Sequence, residues 1–285
     1  MRFGNLDDRL VLVCDTGVVD VADASGGRLP ADPQRAFCQW PDVVAWGATF
    51  DGDGVPHDEA KLSPPVPRPR QVFAVGLNYA SHAAESGVDA PTFPSTFTKF
   101  PTALAPPHAT VTLPSDHVDW EVELVAVVGR AAHRVRAADA WDHVAGLTVG
   151  QDLSERTVQL RPPVPQFSLG KSFPGFAPIG PYVVTPDALD DPDDLAISCA
   201  LNGEEVQRSR TSDLVFPVPD LIAHLSSIVL LLPGDLIFTG TPAGVGATRT
   251  PPRFLRPGDE LVSTIEGVGS ICTRFERLDP DRDER

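Results

Sequence analysis

No apolar run in this chain travels far before a proline or a glycine cuts it, and this limits the fold more than any other feature. The longest candidate, residues 228–232, stops at Pro233-Gly234, far short of the ~18 apolar residues of a membrane span. The chain spreads 30 prolines and 23 glycines between short β-branched segments, which reads as many strands and turns rather than a helical bundle. Strands do not alternate with long helical periods, so a doubly wound sheet is disfavoured. The expectation is a mixed, β-rich α+β fold.

Residues 1–62 read as a small β-rich domain. Within it, residues 10–13 and 18–21 flank Asp15-Thr16-Gly17 as a hairpin, and 35–46 reads as a short helix. The run 63–70, rich in proline, reads as a stiff linker and domain boundary. Residues 71–275 then form a larger domain dominated by strand signals, and 276–285 a charged, frayed tail. Inside 71–275 the sequence predicts one long strand over 119–128 and a hairpin around Asn202-Gly203. The expected helices there are short, at about 81–86, 137–143, 154–160 and 218–226.

Charge narrows the partners. With 39 acidic and 23 basic residues the formal charge is −16, which argues against nucleic acid and against anionic membranes. The N-terminus reaches Asp7 and Asp8 before any signal-peptide core could form. Cys14, Cys38, Cys199 and Cys272 have neither zinc nor CxxC spacing, and read as reduced, mostly buried thiols of a cytoplasmic protein.

The most informative segment is Val118-Asp119-Trp120-Glu121-Val122-Glu123-Leu124, followed by further apolar residues. Strand alternation puts Glu121 and Glu123 on one face. Both faces beyond them are apolar, so the strand reads as buried on both sides. Two adjacent buried carboxylates repel and lose hydration, and a divalent cation relieves both costs. The competing reading is a strand end with solvated glutamates. A third carboxylate, Asp152, enters a short helix, with Arg156 and Gln159 at i+4 and i+7. Oxygen ligands without His or Cys favour Mg2+, Mn2+ or Ca2+. Asp152 alone is equally explained as an N-cap. Gly170-Lys171-Ser172 suggests a phosphate loop, but that motif needs a glycine where Pro165 stands. Lys171 is still notable, because only Lys61, Lys99 and Lys171 are lysines. The segment 239–246, Thr-Gly-Thr-Pro-Ala-Gly-Val-Gly, is a Gly-rich loop of the kind that lets backbone approach a ligand.

As an ordered set these motifs resemble the fumarylacetoacetate hydrolase family. The matching elements are Gly76-Leu77-Asn78-Tyr79 with Ser81-His82-Ala83-Ala84-Glu85, then Thr98-Lys99-Phe100 and Asp119-Trp120-Glu121-Val122-Glu123-Leu124. They continue with Gln151-Asp152-Leu153-Ser154-Glu155-Arg156, Gly170-Lys171-Ser172-Phe173, Pro178-Ile179-Gly180-Pro181, Asn202-Gly203-Glu204 and the Gly-rich loop from Thr239. The resemblance implies a β-roll catalytic domain, usually in a homodimer. It implies Mg2+ or Mn2+ on Glu121, Glu123 and Asp152, and short 2-oxo acids as substrates. It implies substrate contacts from Lys171, Gln159 and Thr241, with Arg156 contacting substrate or supporting the ligands. His82 and Glu85 match a catalytic dyad, with a lid hinge in 90–98. Without the resemblance His82 reads as a surface helix histidine. Departures from the family are Pro174 where Asp is common, Phe167 where Trp is common, and Gln151 in place of a small or Asn-like residue.

The implied activity is hydrolysis of a C–C bond in acylpyruvate-like 2-oxo acids, with the ion as Lewis acid and Lys171 neutralising charge. His82, assisted by Glu85, would activate water. Oxaloacetate decarboxylation or tautomerisation, and hydration or isomerisation of unsaturated 2-oxo acids, use the same groups. A reading of another class is a metal- or ligand-binding family member without turnover.

Overall fold

The computed structural model describes residues 1–277; positions 278–285, most of the tail, lie outside the described residues. Glu276 and Arg277 belong to the last strand, Gly269–Arg277. The hairpin near the N-terminus is present, with Arg9–Cys14 pairing antiparallel to Gly17–Asp20. Val21, read as strand, instead starts a short helix that the Asp20 side chain caps. The helix expected over 35–46 is broken into Pro33–Ala36, a 3-10 turn Phe37–Gln39 and Trp40–Gly47. Pro41 stands in the first turn of the last piece, where a missing N–H costs no helical bond. Asn202-Gly203 joins Ala196–Leu201 to Glu204–Arg210, and its φ values of +51° and +82° suit the twist of a hairpin.

Two sheets carry the molecule, which is mixed α+β and sheet-rich. The larger runs, in spatial order, Gly17–Asp20, Arg9–Cys14, Arg2–Leu6, Ala177–Val184, Val144–Gln151, Val122–Val128, Leu236–Phe238, Val72–Gly76 and Ser95–Thr98. Most neighbours are antiparallel; Leu236–Phe238 runs parallel to Val72–Gly76. The second sheet orders Glu204–Arg210, Ala196–Leu201, Glu260–Ile265, Gly269–Arg277 and Thr110–Leu113. Val122–Val128 packs on Ala196–Leu201, and Val144–Gln151 on Glu260–Ile265, so the sheets close over one shared core. Arg2–Leu6 pairs with both Ala177–Val184 and Leu62–Ser63, which ties the first 62 residues into the larger sheet. Val66, within the Pro-rich run, is fully buried.

The strand expected over 119–128 is interrupted. Val118–Asp119 pairs with Ser154–Glu155, while Val122–Val128 joins the large sheet. Trp120 and Glu121 lie between the two ladders, and the Gln151 side-chain oxygen takes the Glu121 N–H at 2.9 Å. Side-chain amides compete with ladder partners in this way. Burial on both faces holds, since every residue of Val122–Val128 is buried.

The cysteine expectation needs correction. All four thiols are free, but only Cys199 is buried; Cys14 and Cys272 are half-buried and Cys38 is exposed. Among the described residues no helix is long and apolar enough to cross a membrane.

Candidate active site

Register explains where the site forms. Val122 sits opposite Gln151, Val125 opposite Phe238, and Phe238 opposite Ala74. The start of Val122–Val128 therefore lies beside the ends of Val144–Gln151, Leu236–Phe238 and Val72–Gly76. Each of those strands hands over to a segment with chemistry. Gln151 leads to Asp152, Phe238 to the Gly-rich loop, and Gly76 to the helix Ala80–Glu85.

Glu121, Glu123 and Asp152 converge there, each offering an oxygen within 4.8 Å of the others. Their exposures are 4%, 1% and 0%, which removes the solvated-strand-end reading. Lys171 Nζ donates to Glu121 Oε2 at 2.7 Å and to Asp152 Oδ2 at 2.6 Å. Lys99 Nζ donates to Asp152 Oδ1 at 2.5 Å and to the Lys171 carbonyl. Arg156 donates to Glu121 Oε1 at 2.7 Å, to Gln159 Oε1 at 2.9 Å and to Asp119 Oδ2 at 2.6 Å. Four carboxylates thus face three cations, a balance of −1 when all are ionised, which leaves room for further positive charge.

The groups respond differently to burial. Burial, then the charges of Asp152 and Glu121, pushes the Glu123 carboxyl well above the ordinary carboxylate range. Its Oε2 accepts the Gly240 N–H at 2.7 Å. Burial also opposes ionisation of Glu121, but Lys171 and Arg156 outweigh it and hold that carboxyl low. Burial lowers the Lys99 ammonium against the pull of Asp152. For Lys171 the carboxylates Asp152 and Glu121 overcome burial and hold the proton.

This donor set fits a hard divalent cation. It is all oxygen, buried and convergent, and Lys171 already bridges two of its members with positive charge. A dication would meet Glu123, the carboxylate least able to ionise without one.

The dyad forms as well. His82 Nδ1 lies 2.7 Å from Glu85 Oε1, and His82 is 8% exposed, so the surface-histidine reading fails. Glu85 Oε2 accepts the Gly244 N–H at 2.9 Å and the Thr248 hydroxyl at 3.1 Å. Burial alone would raise the Glu85 carboxyl, but His82, Gly244 and Thr248 together hold it below its ordinary value. The one-turn helix is thereby fastened to the Gly-rich loop. Gly244 has φ +109°, and a Cβ there would meet the Val206 carbonyl at 2.1 Å, so the close loop approach needs glycine.

His82, Glu121, Glu123, Arg156, Gln159, Lys171 and Thr241 line one cavity of about 350 Å³. Its outer wall is apolar, from Val75, Leu77, Val88, Phe97, Leu160 and Phe167. Two local readings change. Asp152 is no N-cap, because the helix starts at Arg156 and Glu155 caps it through Val158 N–H. The common helical face of Asp152, Arg156 and Gln159 is therefore absent, yet the three still converge through the turn that follows the strand. The segment read as a lid hinge ends in the strand Ser95–Thr98, paired with Val72–Gly76.

Sequence reasoning left three groups without a role. Asp119 is fully buried, binds Arg156, and accepts Gly246 N–H at 2.7 Å and Ala247 N–H at 3.0 Å. Its alternation with Glu121 and Glu123 was the available signal. Lys99, 1% exposed, was signalled by the scarcity of lysine. Gln151, a departure from the family pattern, braces the break at Glu121 and donates to Ser263 Oγ at 2.8 Å.

The comparisons agree with this geometry. A family model described as fumarylacetoacetate (FAA) hydrolase C-terminal matches residues 71–276. Oxaloacetate tautomerase FAHD2A, mitochondrial, of Homo sapiens is 46% identical over 222 residues, covering 77% of this chain and 71% of that protein. A solved structure from Mycobacterium smegmatis is 53% identical, with a TM-score of 0.94, covering 98% of this chain and 100% of that one. Maleylpyruvate hydrolase from Sphingobium sp. SYK-6, solved with manganese(II) and pyruvate, is 29% identical with a TM-score of 0.80, covering 98% of this chain and 100% of that one. The ordered motifs, the fold, the buried carboxylate site and these matches lead to one assignment: the chain belongs to the fumarylacetoacetate hydrolase family.

Proposed function

We propose that this chain is a divalent-metal-dependent enzyme acting on short 2-oxo acids, and that its first activity is keto–enol tautomerisation of oxaloacetate. The observation that carries the reading is that His82, paired with Glu85, lines the same cavity as Glu121 and Glu123, which converge with Asp152. Oxaloacetate as substrate is supported by the 46% identity to the human tautomerase. Glu121, Glu123 and Asp152 would hold Mg2+ or Mn2+, and manganese is present in the Sphingobium neighbour. When bound, the ion supplies Lewis-acid polarisation to the 2-oxo and carboxylate oxygens.

The chain's own residues handle the proton. Glu85, held ionised by its three donors, keeps the hydrogen of His82 on Nδ1 and leaves the Nε2 lone pair free. Nε2 takes a proton from the carbon next to the 2-oxo group, the C–H electron pair forms the C=C bond as the C=O π pair moves onto the 2-oxo oxygen, and Nε2 then returns that proton to the oxygen. The reverse sequence restores the keto form. Lys171 adds positive charge beside the reacting oxygens, and the apolar wall excludes water.

Hydrolysis of acylpyruvates, which the sequence favours, takes second place because the tautomerase relative is the more similar. One observation supports it. Lys99, Lys171 and Arg156 all point into the carboxylate cluster, and the outer wall is apolar, which suits an uncharged acyl end better than a second carboxylate. Following the ultraviolet absorbance of enol-oxaloacetate and of acetylpyruvate, with Mg2+ or Mn2+ and after chelation, separates the two. Metal-dependent acceleration of oxaloacetate equilibration is expected. Turnover of neither compound under any metal condition would overturn the reading.

A further inference from the structure

We propose that Gln207 is a positioning residue that turns the Thr241 hydroxyl into a dedicated hydrogen-bond donor for the carboxylate of the 2-oxo acid; this rests on the proposed function above. Gln207 stands on Glu204–Arg210, in the other sheet, and is 2% exposed. Its amide is held by backbone groups that leave no choice of orientation. Val122 N–H can only donate, and meets Gln207 Oε1 at 3.0 Å. The Pro242 carbonyl can only accept, and meets Nε2 at 2.8 Å. The second hydrogen on Nε2 therefore points to Thr241 Oγ1, also at 2.8 Å.

Thr241 Oγ1 is thus an acceptor toward Gln207, and its own hydrogen must go elsewhere. Among the described residues that hydroxyl donates to no protein acceptor, while Thr241 lines the cavity beside Glu121, Glu123 and Lys171. Gln207 occupies one lone pair of Oγ1, so the O–H bond is directed away from Gln207 and its hydrogen stays available for a ligand in the cavity. A donor facing the cavity suits an anionic oxygen.

The backbone is arranged to deliver Gln207. The pairing of Ala196–Leu201 with Glu204–Arg210 shifts register between Cys199 and Ala200, so Val206 and Gln207 are both buried in succession. Such bulges re-aim side chains. The bulge also brings the Val206 carbonyl against Gly244, in the loop that carries Thr241. One residue therefore links the metal strand at Val122, the second sheet and the Gly-rich loop.

The test is calorimetric titration of pyruvate into Mn2+-loaded protein, with Mn2+ affinity alone and thermal stability measured in parallel. Thr241→Val is expected to weaken pyruvate about tenfold, about 1.4 kcal/mol, and Thr241→Ser to bind as wild type. Gln207→Met is expected to weaken pyruvate about fivefold in the wild-type background, with no effect in the Thr241→Val background and no change in Mn2+ affinity. Equal weakening by Gln207→Met in both backgrounds, or a parallel loss of Mn2+ affinity, would show a merely structural role and overturn the proposal. Undiminished binding by Thr241→Val would overturn it without any Gln207 variant. If wild-type protein with Mn2+ binds no pyruvate, the 2-oxo acid reading falls first and this proposal with it.

Discussion

The inner and outer halves of the cavity are held by different kinds of structure. The inner half, Glu121, Glu123, Asp152 and their cations, sits at the meeting of central strands of the larger sheet. Its bonds connect residues 50 apart for Lys171 and Glu121, and 53 apart for Lys99 and Asp152. The outer half, His82 and Glu85, lies on a single helical turn, Ala80–Glu85, with an i, i+3 contact of its own. Outside that turn it is fastened by Glu85 to Gly244 and Thr248. A deep charge network fixes ligand geometry but tolerates little change, because breaking one buried pair strands its partner. A short rim helix can lose its side chains without disturbing the sheet beneath. On the proposed function, metal binding and proton transfer are therefore expected to be separable by mutation.

His82→Ala gives the largest expected effect. Removing the acid–base group should cut turnover about 10²- to 10⁴-fold, while Mn2+ affinity stays near wild type by calorimetry. A parallel loss of metal affinity would show that the two halves are one unit. Glu123→Ala is the converse. Loss of a direct ligand should weaken Mn2+ by more than about 100-fold, with the fold intact by circular dichroism. Unchanged Mn2+ affinity would remove Glu123 from the ligand set.

The smallest effect concerns pH, and it belongs to the inner half alone. Because the Glu123 carboxyl is raised by burial, its buried neutral form favours the metal-free fold at low pH, and that contribution is lost as pH rises through its raised value. Mn2+ requires the ionised form. The gain in melting temperature on adding Mn2+ should therefore grow, by several degrees, as pH rises above the ordinary carboxylate range. A gain independent of pH would contradict the assignment of Glu123.

The same contrast governs what the sequence could reveal. Turn chemistry and burial are local, so the Asn202-Gly203 hairpin and the two-faced burial of Val122–Val128 were readable from composition and spacing. The carboxylates were readable because charge in an apolar strand is costly and demands a reason. The break at Trp120-Glu121 was not, since it depends on Gln151 reaching across to the Glu121 N–H. Val21 and the pieces of the 35–46 helix were misread because Asp20 and Pro41 start new helices inside stretches read as single elements. Gln207 lies 85 residues from Val122 and 34 from Thr241, and no short-range pattern joins them. Ordered motif resemblance carried His82 and Glu85 where helical position alone pointed to the surface.

On the proposed function, the three buried carboxylates form a metal site that presents a 2-oxo acid to the rim dyad. The most direct test is calorimetry of pyruvate with wild-type protein, first stripped of metal and then loaded with Mn2+. Pyruvate is expected to bind only the loaded protein, with binding lost in Glu123→Ala but not in His82→Ala. Equal pyruvate binding with and without Mn2+ would contradict it.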